Sequence, residues 1–298
     1  MRVFVTGATG FIGSAVTREL LDAGHEVLGL ARSDRSAEAV KAAGAEVHRG
    51  DLNDLDSLRR GAEATDGVAH LAFIHDFTNL PASGEADLRA IEAIGEVLDG
   101  TGKPLVVTSG LLTAPGRLGT EEDPADPDSP GKHRHASEFA TLALAERGVR
   151  ASVLRLPPSV HGEGDIGFVP MFIDAARAKG VSAMVGDGGN HWAAVHRLDA
   201  ARLYRLALET APAGVRLHAI GDEGVPFREI AETIGRGLEV PVVSVPPEQA
   251  TDHFGWLGRF ATVDMRASGA LTEKLLGWRP EQPALLPDLE AGHYFRTA

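Results

Sequence analysis

Short apolar runs alternate with amphipathic stretches through the first half of the chain. Arg2–Thr6 predicts a buried strand. Phe11–Ala23 predicts a helix with Phe11, Ile12, Ala15, Val16, Leu20 and Leu21 on one side, and Gly24 is placed to end it. Further strands are expected at Glu26–Ala31, Ala45–His48, Val68–Leu71, Pro104–Thr108 and Val149–Leu156. Helical segments are expected at Ser36–Ala43, Asp54–Gly61, Glu85–Leu98 and Glu138–Arg147. Strands that alternate with helices imply parallel pairing through right-handed crossovers, with helices on both faces of the sheet. The expected fold class is therefore α/β, a Rossmann-like doubly wound parallel sheet.

The pattern changes after Leu156. Pro157, Pro158 and the glycines at 162, 164 and 167 interrupt regular structure. Phe168–Lys179, Leu198–Glu209 and Phe227–Leu238 read as helices, Gly186–Asn190 as a turn and Pro241–Pro247 as extended. Thr113–Gly131 is rich in Pro, Asp, Glu and Gly and reads as a long surface loop, of the kind that serves as a lid or is mobile.

Composition narrows the chemistry. The chain has 298 residues, 43% hydrophobic and 24% charged, the balance of a globular protein. It has no cysteine, which excludes disulfides, thiolate metal sites and cysteine nucleophiles. No leader peptide or membrane span is read, so a cytoplasmic protein with no membrane partner is expected. The net charge of −13 argues against a nucleic-acid partner. It leaves room for a local anion site.

Such a site is written into the first strand–turn–helix unit, Thr6-Gly7-Ala8-Thr9-Gly10-Phe11-Ile12-Gly13. In this context Gly7 allows a tight turn, Gly10 lets the backbone approach a pyrophosphate, and Gly13 lets helix and strand pack closely. The free N–H groups of the helix start then hold the anion. Gly7, Thr9, Gly10, Phe11, Ile12 and Gly13 are accordingly cofactor-binding candidates. A dinucleotide binder selective for NAD places a carboxylate near the end of the second strand. Arg32 stands there instead, followed by Ser33. A guanidinium can bond a 2′-phosphate in two places, so the expected cofactor is NADP(H). Two alternatives stay open: Arg32 begins a solvated loop, and Asp34 keeps NAD in play.

The glycine turn, Gly50-Asp51-Leu52, His70-Leu71-Ala72, Val107-Thr108-Ser109, Leu154-Arg155-Leu156-Pro157 with Val160-His161-Gly162, and the Trp192, His196, Asp199 spacing together resemble the extended and atypical short-chain dehydrogenase/reductases. Within them the chain is similar to the NAD-dependent epimerase/dehydratase-like proteins. The resemblance implies that Asp51 bonds the adenine amino group and Leu52 bonds through its backbone. It implies that Leu71, Ala72 and Phe73 pass under the nicotinamide half, that Thr108 and Ser109 lie beside the nicotinamide, and that Pro157 covers the carboxamide. Asp51 could equally cap a helix. The organisation implied is a dinucleotide-binding domain over 1–160, with 195–222 returning to it. A smaller C-terminal substrate lobe is built from 161–194 and 223–298. A helical dimer interface is common in such proteins, and the Glu85–Leu98 and Glu138–Arg147 helices are candidate contributors to a homodimer.

The resemblance breaks at the reacting centre. The family pairs a Tyr with a Lys four residues later on one helix face. The two tyrosines, Tyr204 and Tyr294, lack that lysine, and alignment places Arg134 and Glu138 at the two positions. Arg134 and Glu138 could form a helix salt bridge. Alternatively, Glu138 could accept the ribose hydroxyls and Arg134 could meet a substrate oxygen. Arginine is no ordinary proton donor, because its pKa exceeds 12. His133, His135 and His161 are candidate donors, with His161 best placed by the resemblance. Each is also readable as a surface or structurally bonded histidine. Ser109 could orient a carbonyl or imine, or only finish a strand. No metal site is expected at His191 and His196, and Trp192 reads as packing or a pocket wall.

The expectation is an NADPH-dependent reductase of a small-molecule substrate with a C=O, C=N or activated C=C bond, with Ser109, Arg134, Glu138 and His161 as catalytic candidates. Two alternatives remain: a catalytically weak NADP(H)-binding regulator or scaffold, and a sugar-nucleotide epimerase using NAD.

Overall fold

The computed structural model describes residues 1–111, 113–129 and 131–296. The chain opens with β1 (Arg2–Thr6), α1 (Phe11–Asp22), β2 (Glu26–Ala31), α2 (Asp34–Ala42), β3 (Glu46–Arg49), α3 (Leu55–Glu63) and β4 (Gly67–His70). It continues with α4 (Leu80–Leu98), β5 (Pro104–Gly110), α5 (His135–Ala143) and β6 (Arg150–Leu156). These strands and β10, described below, form one seven-stranded sheet in the order β10-β6-β5-β4-β1-β2-β3, with every neighbouring pair parallel. Val3, Phe4 and Val5 are fully buried on alternate faces. A strand covered on both sides therefore reads as a continuous apolar run rather than an alternation. The strand order reverses between β1 and β4, the crevice where sheets of this kind bind ligands.

After β6 come β7 (Ser159–His161), α6 (Phe168–Lys179), β8 (Ser182–Val185), β9 (His191–His196), α7 (Arg197–Thr210), β10 (Val215–His218), β11 (Asp222–Pro226), α8 (Phe227–Leu238) and β12 (Val242–Val245). Four short helices end the chain: α9 (Ala250–Phe254), α10 (Gly258–Ala261), α11 (Ala270–Leu276) and α12 (Leu285–Glu290). β11, β9 and β7 make a mixed three-stranded sheet, and β8 pairs with β12. Around them lies a separate aromatic core. Trp192 is fully buried and meets Phe172 and Phe227 edge to face at 5.6 and 5.4 Å. Trp192 is thus packing rather than a pocket wall. Trp278, much later in the chain, packs instead into the core of the main sheet and donates its indole N–H to the carbonyl of Asp199 at 3.0 Å.

Three expectations about elements need correction. α4 begins at Leu80, five residues before the expected start. The Asn79 side chain caps it by accepting the N–H of Ala82, and Pro81 sits in the first turn, where its missing N–H costs nothing. α5 ends at Ala143, and its last turn tightens into a 3-10 segment, Leu144–Arg147. The 113–129 segment is a loop, but it is pinned rather than free. Arg117 pairs with Asp123 at 2.7 Å, and the buried carboxylate of Glu121 accepts both the N–H and the hydroxyl of Thr272 at 2.7 Å. The hydrogen bonds from Arg117 hold Asp123 at about 2, well below the usual carboxylate range. Among the described residues no helix is long and apolar enough to cross a membrane, and no His, Asp and Glu cluster fits a metal.

Candidate active site

The turn between β1 and α1 is bare backbone. Gly7 has φ +71, and a Cβ there would come within 2.9 Å of the Ala72 nitrogen. A Cβ on Gly13 would overlap the Gly7 carbonyl oxygen. α1 starts at Gly10 with no side chain capping its first N–H groups. Thr9 and Gly10 are exposed, while Phe11 and Ile12 are half-buried against the turn. This cradle, which any side chain would fill, fits a diphosphate.

Thr6, absent from the expectations, ties the turn to β4. Its Oγ1 accepts the N–H groups of Leu71 and Ala72 at 3.1 Å and lies 3.0 Å from Nδ1 of His70. The glycine turn and the Leu71–Phe73 segment therefore meet at the strand-order reversal.

At the far end of β2, Arg32 is exposed. The Ser33 hydroxyl is engaged in a capping box with Ser36 at the start of α2. Asp34 turns to Arg49. Asp51 does not cap α3, because Asp54 does. Asp51 instead accepts the backbone and side-chain N–H groups of Asn53, and Leu52 beside it is half-buried.

The reacting side is built from α4, the end of β5 and the start of α5. A Cβ on Gly84 would overlap the His133 carbonyl, so glycine lets the turn before α5 rest directly on α4. That contact places Arg134 beside Asp87. The Arg134 guanidinium carbon lies over the Phe73 ring, 3.6 Å from its centroid. Its Nη1 donates to the carbonyl of Thr108 at 2.9 Å and stands 3.8 Å from Oδ2 of Asp87. Asp87 is buried, and its Oδ1 meets Nε2 of His70 at 3.3 Å. Burial pushes the Asp87 carboxyl up, but the hydrogen bond to His70 and the charge of Arg134 more than offset it and hold it below its ordinary value. Burial and the neighbouring Arg134 charge push His133 down to about 4, so it is neutral at pH 7.

Of the expected site residues, the structure brings together Gly7, Ala72, Phe73, the backbone of Thr108, and Arg134. The Thr108 side chain is turned away, bonded to the His70 carbonyl and to the hydroxyl of Tyr204. Ser109, on the opposite face, has a buried Oγ with no partner among the described residues. Pro157 is buried immediately after β6.

Two catalytic expectations are corrected. Glu138 makes no pair with Arg134 and does not face a ribose. Arg155 grips it through Nε at 2.9 Å and Nη2 at 2.5 Å, and Arg216 adds a bond at 2.8 Å, so both oxygens are spent in the interior. His161 is fully buried and turns Nδ1 to Asp288 of α12 at 2.8 Å, so it is not an exposed donor in this structure, and its Nε2 has no partner among the described residues. Neither tyrosine offers a free hydroxyl to the reacting side. Tyr294 bonds Asp165 at 3.0 Å, and the buried Tyr204 spends its hydroxyl on Thr108 Oγ1 at 2.7 Å. The residues missed by sequence reasoning are Thr6, His70 and Asp87. Asp87 had a signal: a carboxylate in line with Ser83, Ile91, Ile94 and Leu98 on the apolar face of α4 needs a partner.

Comparison with known proteins agrees with this architecture. The pattern of the NAD dependent epimerase/dehydratase family matches residues 3–220. An uncharacterised protein of Schizosaccharomyces pombe is 52% identical, over 99% of this chain and 100% of its own. A 2-alkyl-3-oxoalkanoate reductase of Stenotrophomonas maltophilia is 28% identical, over 82% of this chain and 77% of its own. The solved dTDP-glucose 4,6-dehydratase of Streptomyces venezuelae, with NAD bound, shares the fold at a TM-score of 0.78 and 23% identity, over 99% of this chain and 96% of that one.

Proposed function

The chain belongs to the NAD dependent epimerase/dehydratase family, and we propose that it is an NADPH-dependent reductase of a small organic substrate with a C=O, C=N or activated C=C bond. The observation that carries this reading is Arg134, a guanidinium bonded to the end of β5, at the position that the resemblance aligns with the family's tyrosine. The Gly7–Gly13 backbone would hold the diphosphate. Arg32 would take the 2′-phosphate; it is exposed, whereas the nearest competing carboxylate, Asp34, is drawn to Arg49. Leu71, Ala72 and Phe73 would support the nicotinamide half. When bound, the reduced nicotinamide supplies the hydride.

Arg134 then acts by charge. Negative charge that develops on the substrate oxygen is met by a preorganised cation in a poorly hydrated place. The proton is taken from water, because arginine keeps its own and His133 has none to spare at pH 7. General acid catalysis is worth roughly 10²–10⁴-fold, so turnover slower than that of a tyrosine-bearing relative is expected. The orphaned hydroxyl of Ser109 is available to orient the reacting group.

The test follows NADPH absorbance with a panel of ketones, imines and enones. Arg134→Met should lower kcat/KM by about 100-fold, the scale of losing one oxyanion-stabilising group. A second reading is favoured by the engagement of both tyrosines elsewhere: a catalytically weak NADP(H)-binding regulator. Tight NADPH binding with no turnover across the panel would select it. The NAD-dependent sugar-nucleotide epimerase reading is opposed by Arg32 and by the missing tyrosine.

A further inference from the structure

Resting on that reading of Arg134, we propose that the substrate carries a carboxylate next to the reacting carbonyl on a flat apolar body, with the free edge of Arg134 meeting one oxygen of each and the exposed part of Trp256, stacked on Phe77, receiving the body.

The first support is the unfinished coordination of Arg134. Its Nη1 is spent on the Thr108 carbonyl, and Asp87 at 3.8 Å is too far to bond. Among the described residues, Nε and Nη2 have no acceptor, although the side chain is only 12% exposed. A nearly dehydrated guanidinium with one edge free matches two neighbouring oxygens in one plane, here one from the carboxylate and one from the adjoining carbonyl, because its N–H pair is parallel. Phe73 beneath it and Thr108 beside it fix the plane of that edge.

The second support is the aromatic run that leads from Phe73, under Arg134, to His75 at 5.2 Å and on to Phe77 at 6.1 Å. Phe77, in the segment after β4, stacks on Trp256 at 4.2 Å with planes 22° apart, joining the main sheet's loop to the turn between α9 and α10. Trp256 is 39% exposed, whereas Trp192 and Trp278 are fully buried. Phe168 and Phe260 back it at 6.1 and 5.8 Å. An exposed indole held between aromatic rings offers a flat apolar surface to a planar ligand.

The third support is the sign of the charge. The chain carries −13 and would repel an anion at long range. Around His133, however, Arg134 and Arg259 place positive charge; Asp87, 3.8 Å behind Arg134, offsets part of it but at 1% exposure cannot itself meet a ligand. A local cationic spot in an acidic protein recognises an anion that has already entered the cleft.

Calorimetry with benzoate and its neutral near-isostere benzamide tests this, on the protein alone and saturated with NADP⁺. Benzoate should bind at least about tenfold tighter, the scale of one charge-assisted bond pair. Arg134→Met should abolish the preference, Arg134→Lys should keep part of it, and Trp256→Leu should weaken both ligands alike. Equal binding of the two ligands, or binding of neither at millimolar concentration, overturns the proposal. So does an Arg134→Met protein that loses NADP⁺ but still prefers benzoate, because Arg134 would then serve the cofactor. The acid-against-amide contrast in the unaltered protein decides even if that variant does not fold. The reductase reading is judged separately with phenylglyoxylate and its methyl ester. Faster NADPH oxidation with the acid supports the proposal, and faster oxidation with the ester overturns it while leaving the reductase intact. Benzoate preference with no oxidation of either supports the carboxylate site and sinks the reductase.

Discussion

Two arginines meet two buried carboxylates where α4 and α5 cover the main sheet, and they end in opposite states. Arg155 is fully buried and closes on Glu138 with two bonds, while its remaining nitrogen donates to the carbonyl of Asp123. Arg134 approaches Asp87 only to 3.8 Å and keeps a free edge. A buried ion pair is held together when every donor and acceptor is answered. A pair left half answered keeps its interaction capacity for something from outside. The satisfied pair fixes the position of α5, and the unsatisfied one faces the cleft.

Breaking the satisfied pair should have the largest effect. Glu138→Gln leaves Arg155 uncompensated in the interior and should cost about 3–5 kcal/mol, read as a fall in the urea midpoint. Arg134→Met should cost far less stability while removing most activity. A stability loss for Arg134→Met equal to that for Glu138→Gln would erase the distinction between the two sites.

The cofactor end comes next. Arg32→Glu should weaken NADPH by about tenfold or more while leaving NADH nearly unchanged, since only the former carries the phosphate. Equal loss for both would remove the phosphate role.

The smallest effect concerns Asp165, a half-buried carboxylate with no cation bonded to it among the described residues. Burial raises it to about 6 despite hydrogen bonds from Gly167 and Tyr294. Its folded value lies above its unfolded one, so the native state holds the extra proton between about pH 4 and 6. Stability from this group is present at low pH and is lost as pH rises through that window. Asp165→Asn should flatten that part of the pH–stability curve and stabilise the protein at pH 7 by on the order of 1 kcal/mol.

The glycine turn and the parallel strands were readable because their causes are local. A tight turn, a close approach and a doubly covered strand each leave a mark within a few residues. Arg134 could be flagged only as a departure from a pattern. Its setting depends on Gly84, Asp87 and Thr108, which are distant in the chain and meet through packing. Glu138 was misread for the same reason, because its partners Arg155 and Arg216 lie on β6 and β10. The early start of α4 takes in Pro81 and Gly84, two residues of low helix propensity. Here Pro81 sits in the tolerant first turn, and Gly84 answers a steric demand from α5.

Trp278 has a bearing on how the molecule comes apart. The chain leaves the main sheet after β6, returns as α7 and β10, departs again through β11 to α10, and comes back to seat an indole against the carbonyl of Asp199. Neither half can be peeled off at one hinge. A fragment ending before residue 278 would leave a tryptophan-sized void under the seven-stranded sheet, so trimming the C-terminal segment should lower the melting temperature of what remains and not free that sheet as an intact piece.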